Sequence, residues 1–258
     1  MKTLVGYLAQ CLLLLALLLT PVKPAAADEI RVLSGGAVQH VLQSLMPEFE
    51  QATGHRVNAS FALIPVIAQR LSAGEKADLV FLPMPLIAAA EKTTPLRKEG
   101  QGPFVRVGVG VLAREGAPRA DISTPDGIRK LLLSARKVAI PEPATPSGAH
   151  AIRLMEQLGI SEAMRPKLIV KASINGGGDL VAKGEADVGM YLLSEIQGIK
   201  SAVVLGPLPT EMQTYVVYGV AIPAASATPD AALAFLKFVS DPARQSRWTA
   251  GGFEVVRQ

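Results

Sequence analysis

The chain has 258 residues, 49% of them hydrophobic, with 26 Lys and Arg against 22 Asp and Glu and a formal charge of +4. That length suits one large domain or two smaller lobes with a sizeable core. No basic run occurs, so nucleic acid is not an implied partner, and with Cys11 as the only cysteine there is no disulfide framework or thiolate metal site.

Residues 1–27 read as a secretory leader. Lys2 supplies a positive start, residues 11–19 an apolar core too short to span a bilayer, and Ala25-Ala26-Ala27 a small-residue cleavage site before Asp28. Cys11 is not read as a lipid anchor, because Gln10 precedes it and the apolar core follows it instead of leading to it. Cleavage removes Lys2, Lys23 and Cys11, leaving an exported chain near charge balance and dependent on its core. The expected location is the periplasm.

The exported part opens with a strand at 30–34, a turn at Ser34-Gly35-Gly36 and a helix over 36–51, where Val38, Val41, Leu42, Leu45 and Phe49 recur at helical spacing. A strand at 56–61, a helix at 64–73, a strand at 78–82 and a helix at 84–92 follow. This alternation predicts an α/β fold with a parallel sheet covered by helices on both faces. Ligands of such sheets sit beyond the carboxyl ends of the strands, here around residues 34–37, 62–66 and 83–84.

A longer β run at 104–113 is expected to carry the chain into a second lobe. There a helix spans 125–135, capped by Ser123 or Thr124 with Pro125 in its first turn. A strand at 137–140, a helix opened by Pro146-Ser147-Gly148, a strand at 168–172, the loop Ser173-Ile174-Asn175-Gly176-Gly177-Gly178, a short helix and a strand at 187–193 complete it. The β run at 214–222 leads back, followed by helices at 229–239 and 242–250 and a last strand in GFEVV. The expected division is lobe one from 28–106 plus 219–258 and lobe two from 107–218, with two crossover strands as the hinge.

Three turns place glycine beside a hydroxyl or amide residue at a helix start, near Gly36, Ser147 and Asn175. Backbone N–H groups and the helix dipole favour an anion there.

IRVLSGGAVQHVL, SFALIPVIAQRLSAGEKADLVFL, VAIPEPATPSGAHAIRLMEQLG, ADVGMYLLSEI and GGFEVV together make the chain similar to the periplasmic molybdate-binding proteins of ABC transporters, a branch of the two-lobed (type II) solute-binding proteins. The resemblance covers essentially all of the exported chain. It implies a mainly parallel sheet in each lobe, an anion held between the lobes, and an inner-membrane ABC permease as partner. In that family serine hydroxyls of the first two turns, a tyrosine after the late strand and backbone N–H groups hold the oxyanion. Here the matching positions are Ala37, Leu63-Ile64-Pro65 and Leu192, with Tyr191 one residue earlier. A hydrogen bond to a charged group contributes roughly 1.5–3 kcal/mol, so losing about three weakens an oxyanion by roughly 5–9 kcal/mol unless other donors replace them.

The expected ligand-binding set is Ser34, Gly35, Gly36, Ala37, Ile64, Pro65, Ser147, Gly148, Ile174, Asn175, Gly176 and Tyr191, with Tyr215 as a further polar candidate. Arg31, Arg106 and Lys171 are the cations at strand positions from which a ligand is reachable. His40, His55 and His150 lack metal-ligand spacing, and no cofactor is implied. No nucleophile elbow, HExxH or Walker motif is present, so the chain reads as a binder, not an enzyme. The expected function is an exported, monomeric solute-binding protein for a small anion. An organic carboxylate is the first expectation, since the replaced hydroxyl positions are apolar. Molybdate or tungstate is the alternative, and a sensor that hands its ligand to a receptor is the other.

Overall fold

The computed structural model describes residues 27–117, 120–171 and 177–256. β1 (Glu29–Gly35), β2 (Arg56–Ala62) and β3 (Leu79–Pro83) run parallel in the order β2-β1-β3. The 13-residue β4 (Gly102–Arg114) is antiparallel to β9 (Tyr215–Ala221) and β10 (Phe253–Val255) along its first half. From Val109 onward it pairs instead with β7 (Val188–Leu192) and, from Gly110, with β8 (Ala202–Pro207). Beyond β7 lie β5 (Val138–Ile140) and β6 (Leu168–Val170), parallel to one another and to β7. Since β9 also pairs antiparallel with β3, the ten strands form one sheet.

The expected α/β architecture with parallel outer strands is therefore present, with one correction. The two sheets are continuous, because β4 is long enough to belong to both, and the strands around it are antiparallel.

Side chains alternate faces along each strand. Ile30 and Val32 pack with Val41, Leu42, Leu45 and Phe49 of α1 (Gln39–Thr53). Leu33 points the other way, to Ile67 of α2 (Ile64–Ser72) and Ile87 of α3 (Met84–Glu91). In the second half, Val138 and Ile140 join the large cluster with Ile128 of α4 (Pro125–Ser134) and Leu154 of α5 (Pro146–Gln157). Met164 of α6 (Ser161–Met164) is buried in it too. Ala139 faces Leu180 and Val181 of α7 (Gly178–Ala182). Between β7 and β8 lies α8 (Leu193–Ile196), and α9 (Pro229–Ser240) and α10 (Gln245–Ala250) close the chain. Trp248 of α10 packs edge-on against Phe104 and Phe253 while its indole N–H donates to Val239 O at 2.8 Å.

The first helix begins later than its pattern suggests. Gly36–Val38 forms a 3₁₀ turn and the α-helix starts at Gln39. β8, α6 and α8 are also unexpected, since a half-exposed strand ending in Gly206-Pro207 and four-residue helices are too short for periodicity to register.

Candidate functional site

The carboxyl ends of β1, β2, β5, β6 and β7 converge with β9 on a cleft of about 160 Å³. One wall is carbon: Ala62, Leu63, Ile64 and Pro65 of the β2–α2 corner. The facing wall is the loop from β5 into α5, with Pro141, Glu142, Thr145 and Ser147. Gly36, Lys171, Tyr191, Leu192, Glu195, Val216 and Tyr218 complete the lining.

Of the expected residues, Gly36, Ile64, Pro65, Ser147 and Tyr191 meet here. Ser147 is not the cap of α5. Thr145 is, its Oγ1 accepting from Gly148 N–H at 3.1 Å, and Ser147 follows Pro146 at the second helical position. Ser147 is buried, and its hydroxyl makes no hydrogen bond among the described residues.

Four other expected positions have different surroundings. The Ser34 hydroxyl is buried and donates to Gly35 O at 2.9 Å. Ala37 is packed into the large core cluster. Gly148 has its N–H engaged by Thr145, and a Cβ there lies 2.0 Å from Glu142 O, so glycine is needed for backbone approach. At Gly35 the approach is looser and to side chains, a Cβ there lying 3.1 Å from Ile64 Cγ1 and 3.2 Å from the Tyr218 hydroxyl. Ile174, Asn175 and Gly176 lie outside the described residues.

Tyr191 lies one residue before the position that matches the family's tyrosine, and both it and Leu192 line the cleft. A one-residue offset in a strand reverses the face: Met190 and Leu192 join the large core, while the Tyr191 ring joins Leu112, Ala139, Leu180 and Val181. Its buried hydroxyl abuts Gly177 and has no partner among the described residues. Tyr215 is exposed and stacks under Arg106, which pairs with Glu254. Arg31 pairs with Asp78. Only Lys171 of the three candidate cations reaches the cleft, and its ammonium holds Asp179 at 2.6 Å.

Tyr218 and Glu195 escape a pattern reading. Tyr218 sits at an alternating core position of β9 and Glu195 in a single helical turn, so neither stood out from its neighbours. Both reach the cleft only because β9 and β7 pair with adjoining stretches of β4. The Glu195 carboxylate accepts from Leu192 N–H at 3.3 Å, yet burial pushes its pKa up to about 8. Burial, and then the charge of Glu195, holds both tyrosine hydroxyls well above their usual range, so they remain neutral donors. The cleft therefore combines an apolar wall, hydroxyls of Ser147, Tyr191 and Tyr218 that have no partner among the described residues, one cation, Lys171, and two carboxyls, Glu142 and Glu195.

Residues 30–254 match the family model described as bacterial extracellular solute-binding protein. The chain belongs to that family. It is 28% identical over 236 residues to an aconitate isomerase from a Pseudomonas species, covering 87% of this chain and 88% of that protein. It is 29% identical over 178 residues to the molybdate-binding protein ModA of Azotobacter vinelandii, covering 67% and 68%. The fold superposes on the periplasmic molybdate-binding protein of Azotobacter vinelandii with a TM-score of 0.74 at 18% identity, over 88% of this chain and 100% of that one.

The resemblance carried by the sequence motifs is thus shown, and with it an exported solute-binding protein of the molybdate-binding type. The family model describes solute binding, in line with the expectation of a binder, and a periplasmic setting is consistent with it. No group of three His, Cys, Asp or Glu suited to a metal occurs among the described residues, and none of their helices is long and apolar enough to cross a membrane.

Proposed function

We propose that this solute-binding protein captures a small organic anion bearing more than one carboxylate in the cleft and delivers it to an inner-membrane ABC permease. The observation that carries this reading is the lining. Carbon from Ala62 to Pro65 faces unpartnered hydroxyls, which matches a ligand with carbon between its charged ends. A relative that aligns over most of both chains is named for aconitate, a tricarboxylate. On this reading Gly36, Ile64, Pro65, Ser147, Tyr191 and Tyr218 contact the ligand, while Lys171 lines the cleft with its ammonium paired to Asp179. The two lobes divide where β4 changes partners, at Gly108-Val109, and the leader is removed after Ala27.

A second reading is a tetrahedral oxyanion, which the molybdate-binding relatives and the superposed fold favour. Against it stand Ala37, Leu63 and Leu192 where that family carries hydroxyls.

A thermal-shift panel of molybdate, tungstate, sulfate, phosphate, succinate, citrate and trans-aconitate separates the two. A ligand at about 100 times its Kd stabilises by about 2.7 kcal/mol. Stabilisation by a carboxylate is the expected result. A response to micromolar molybdate with none to any carboxylate establishes the oxyanion instead.

A further inference from the structure

We propose that Glu195 meets the bound anion as a neutral acid, its hydroxyl donating to a ligand oxygen, so that capture weakens once this carboxyl ionises. This rests on the reading of the cleft as an anion site.

Glu195 lines the cleft from α8, immediately after β7 ends. One of its oxygens accepts the Leu192 N–H, and no other hydrogen bond or ion pair reaches its carboxyl from the described residues. The titratable and charged groups around it are Tyr191 from β7, Tyr218 from β9, Glu142 from the β5–α5 loop and Lys171 after β6. β4 and the 3₁₀ turn at Gly36–Val38, the other elements packed on α8, present only glycine, alanine and aliphatic side chains there.

Lys171 is committed to Asp179, and Glu142 is of like sign. An ionised Glu195 is then an uncompensated negative charge in the wall of a site for anions. A carboxylate only accepts hydrogen bonds, whereas the protonated acid donates one. Burial keeps it in that form near neutrality, with ionisation at about 8. The same device discriminates, because a neutral donor spares an anion the like-charge repulsion that an ordinary surface glutamate imposes.

The test is calorimetry on the full exported chain with trans-aconitate, and in parallel molybdate, from pH 6 to 9. The comparison is drawn between pH 7 and 9, above the last ionisation of either probe. The expected wild-type result is a loss of roughly tenfold in affinity between pH 7 and 9, with about one proton taken up per anion bound at the upper end. Glu195→Gln retains a donor but cannot titrate, so its affinity is expected to be independent of pH. The ¹³C resonance of the Glu195 carboxyl, assigned by its absence in that variant, is expected to titrate above pH 7 in the free protein. Anion binding with a flat wild-type profile, a pH dependence that survives Glu195→Gln, or a carboxyl titrating in the ordinary carboxylate range each overturns the proposal while leaving the anion site intact. Binding of neither probe at any pH overturns the anion reading and the role of Glu195 with it.

Discussion

Asp78 is completely buried, and four donors converge on it: Arg31 N–H at 2.9 Å, Arg31 Nε at 3.1 Å, the Ser226 hydroxyl at 2.9 Å and Ala227 N–H at 2.9 Å. It therefore ties β1, the start of β3 and the loop after β9 together. Burial alone raises its pKa, but the hydrogen bonds outweigh this and hold it below the usual carboxylate range. Its stabilisation is complete above the unfolded-state value of about 3.9 and is lost as pH falls through the lower folded-state value. Asp78→Ala leaves those donors buried and unpaired, and urea unfolding at pH 7 is expected to show a loss of about 3–5 kcal/mol. The gap to wild type is expected to narrow in acid.

Tyr218 has the opposite profile. Its hydroxyl has no partner among the described residues, so Tyr218→Phe is expected to leave the melting temperature within a degree or two while weakening ligand by about tenfold, the worth of one hydrogen bond to an anion. An unchanged Kd with unchanged stability removes Tyr218 from the ligand's contacts.

At the scale of elements, the start of α5 decides the shape of one cleft wall. Thr145 caps the helix, Thr145 N–H in turn donates to Glu142 O at 2.9 Å, and Gly148 lets that same carbonyl approach its Cα. A methyl group at 148 has no room: it meets Glu142 O at 2.0 Å and Pro141 O at 2.8 Å. Gly148→Ala is expected to push the β5–α5 loop outward, lowering stability by about 1–3 kcal/mol and lowering affinity as well. A crystal structure of that variant with an unmoved loop contradicts this account. The helix-start glycine that reads as a ligand element thus acts first through backbone packing.

At the scale of the molecule, β4 passes from β9 and β10 to β7 and β8, and under the proposed division the two lobes join along it and at the entry to β9. Gln213 clamps that entry to β4, its Oε1 accepting from Val109 N–H at 2.8 Å and its Nε2 donating to Val109 O at 2.9 Å. Those bonds sit where β4 exchanges one set of partners for the other. Any closure of the cleft on a ligand is expected to bend the chain here. Solution scattering is expected to show a smaller radius of gyration at saturating ligand. An identical profile with and without ligand makes the cleft rigid.

Much of this was legible in the chain itself. Apolar periodicity of 3.6 and 2 marks α1, α5, α9 and the outer strands, because burying one face imposes it on any sequence that folds this way. The end of β2 and the Pro146-Ser147 turn could be assigned to one mouth because parallel strands bring their carboxyl ends together. What only the tertiary structure decided is which groups face that mouth. Alternation in a strand determines that Tyr191 and Leu192 point apart, but not which of them meets empty space. That depends on β9 and β7 pairing with adjoining stretches of β4, which brings Tyr218 and Glu195 to one cleft, and on Asp179 taking Lys171. Those contacts join residues far apart in sequence, and burial and pairing of polar groups are properties of the packed chain rather than of any local pattern.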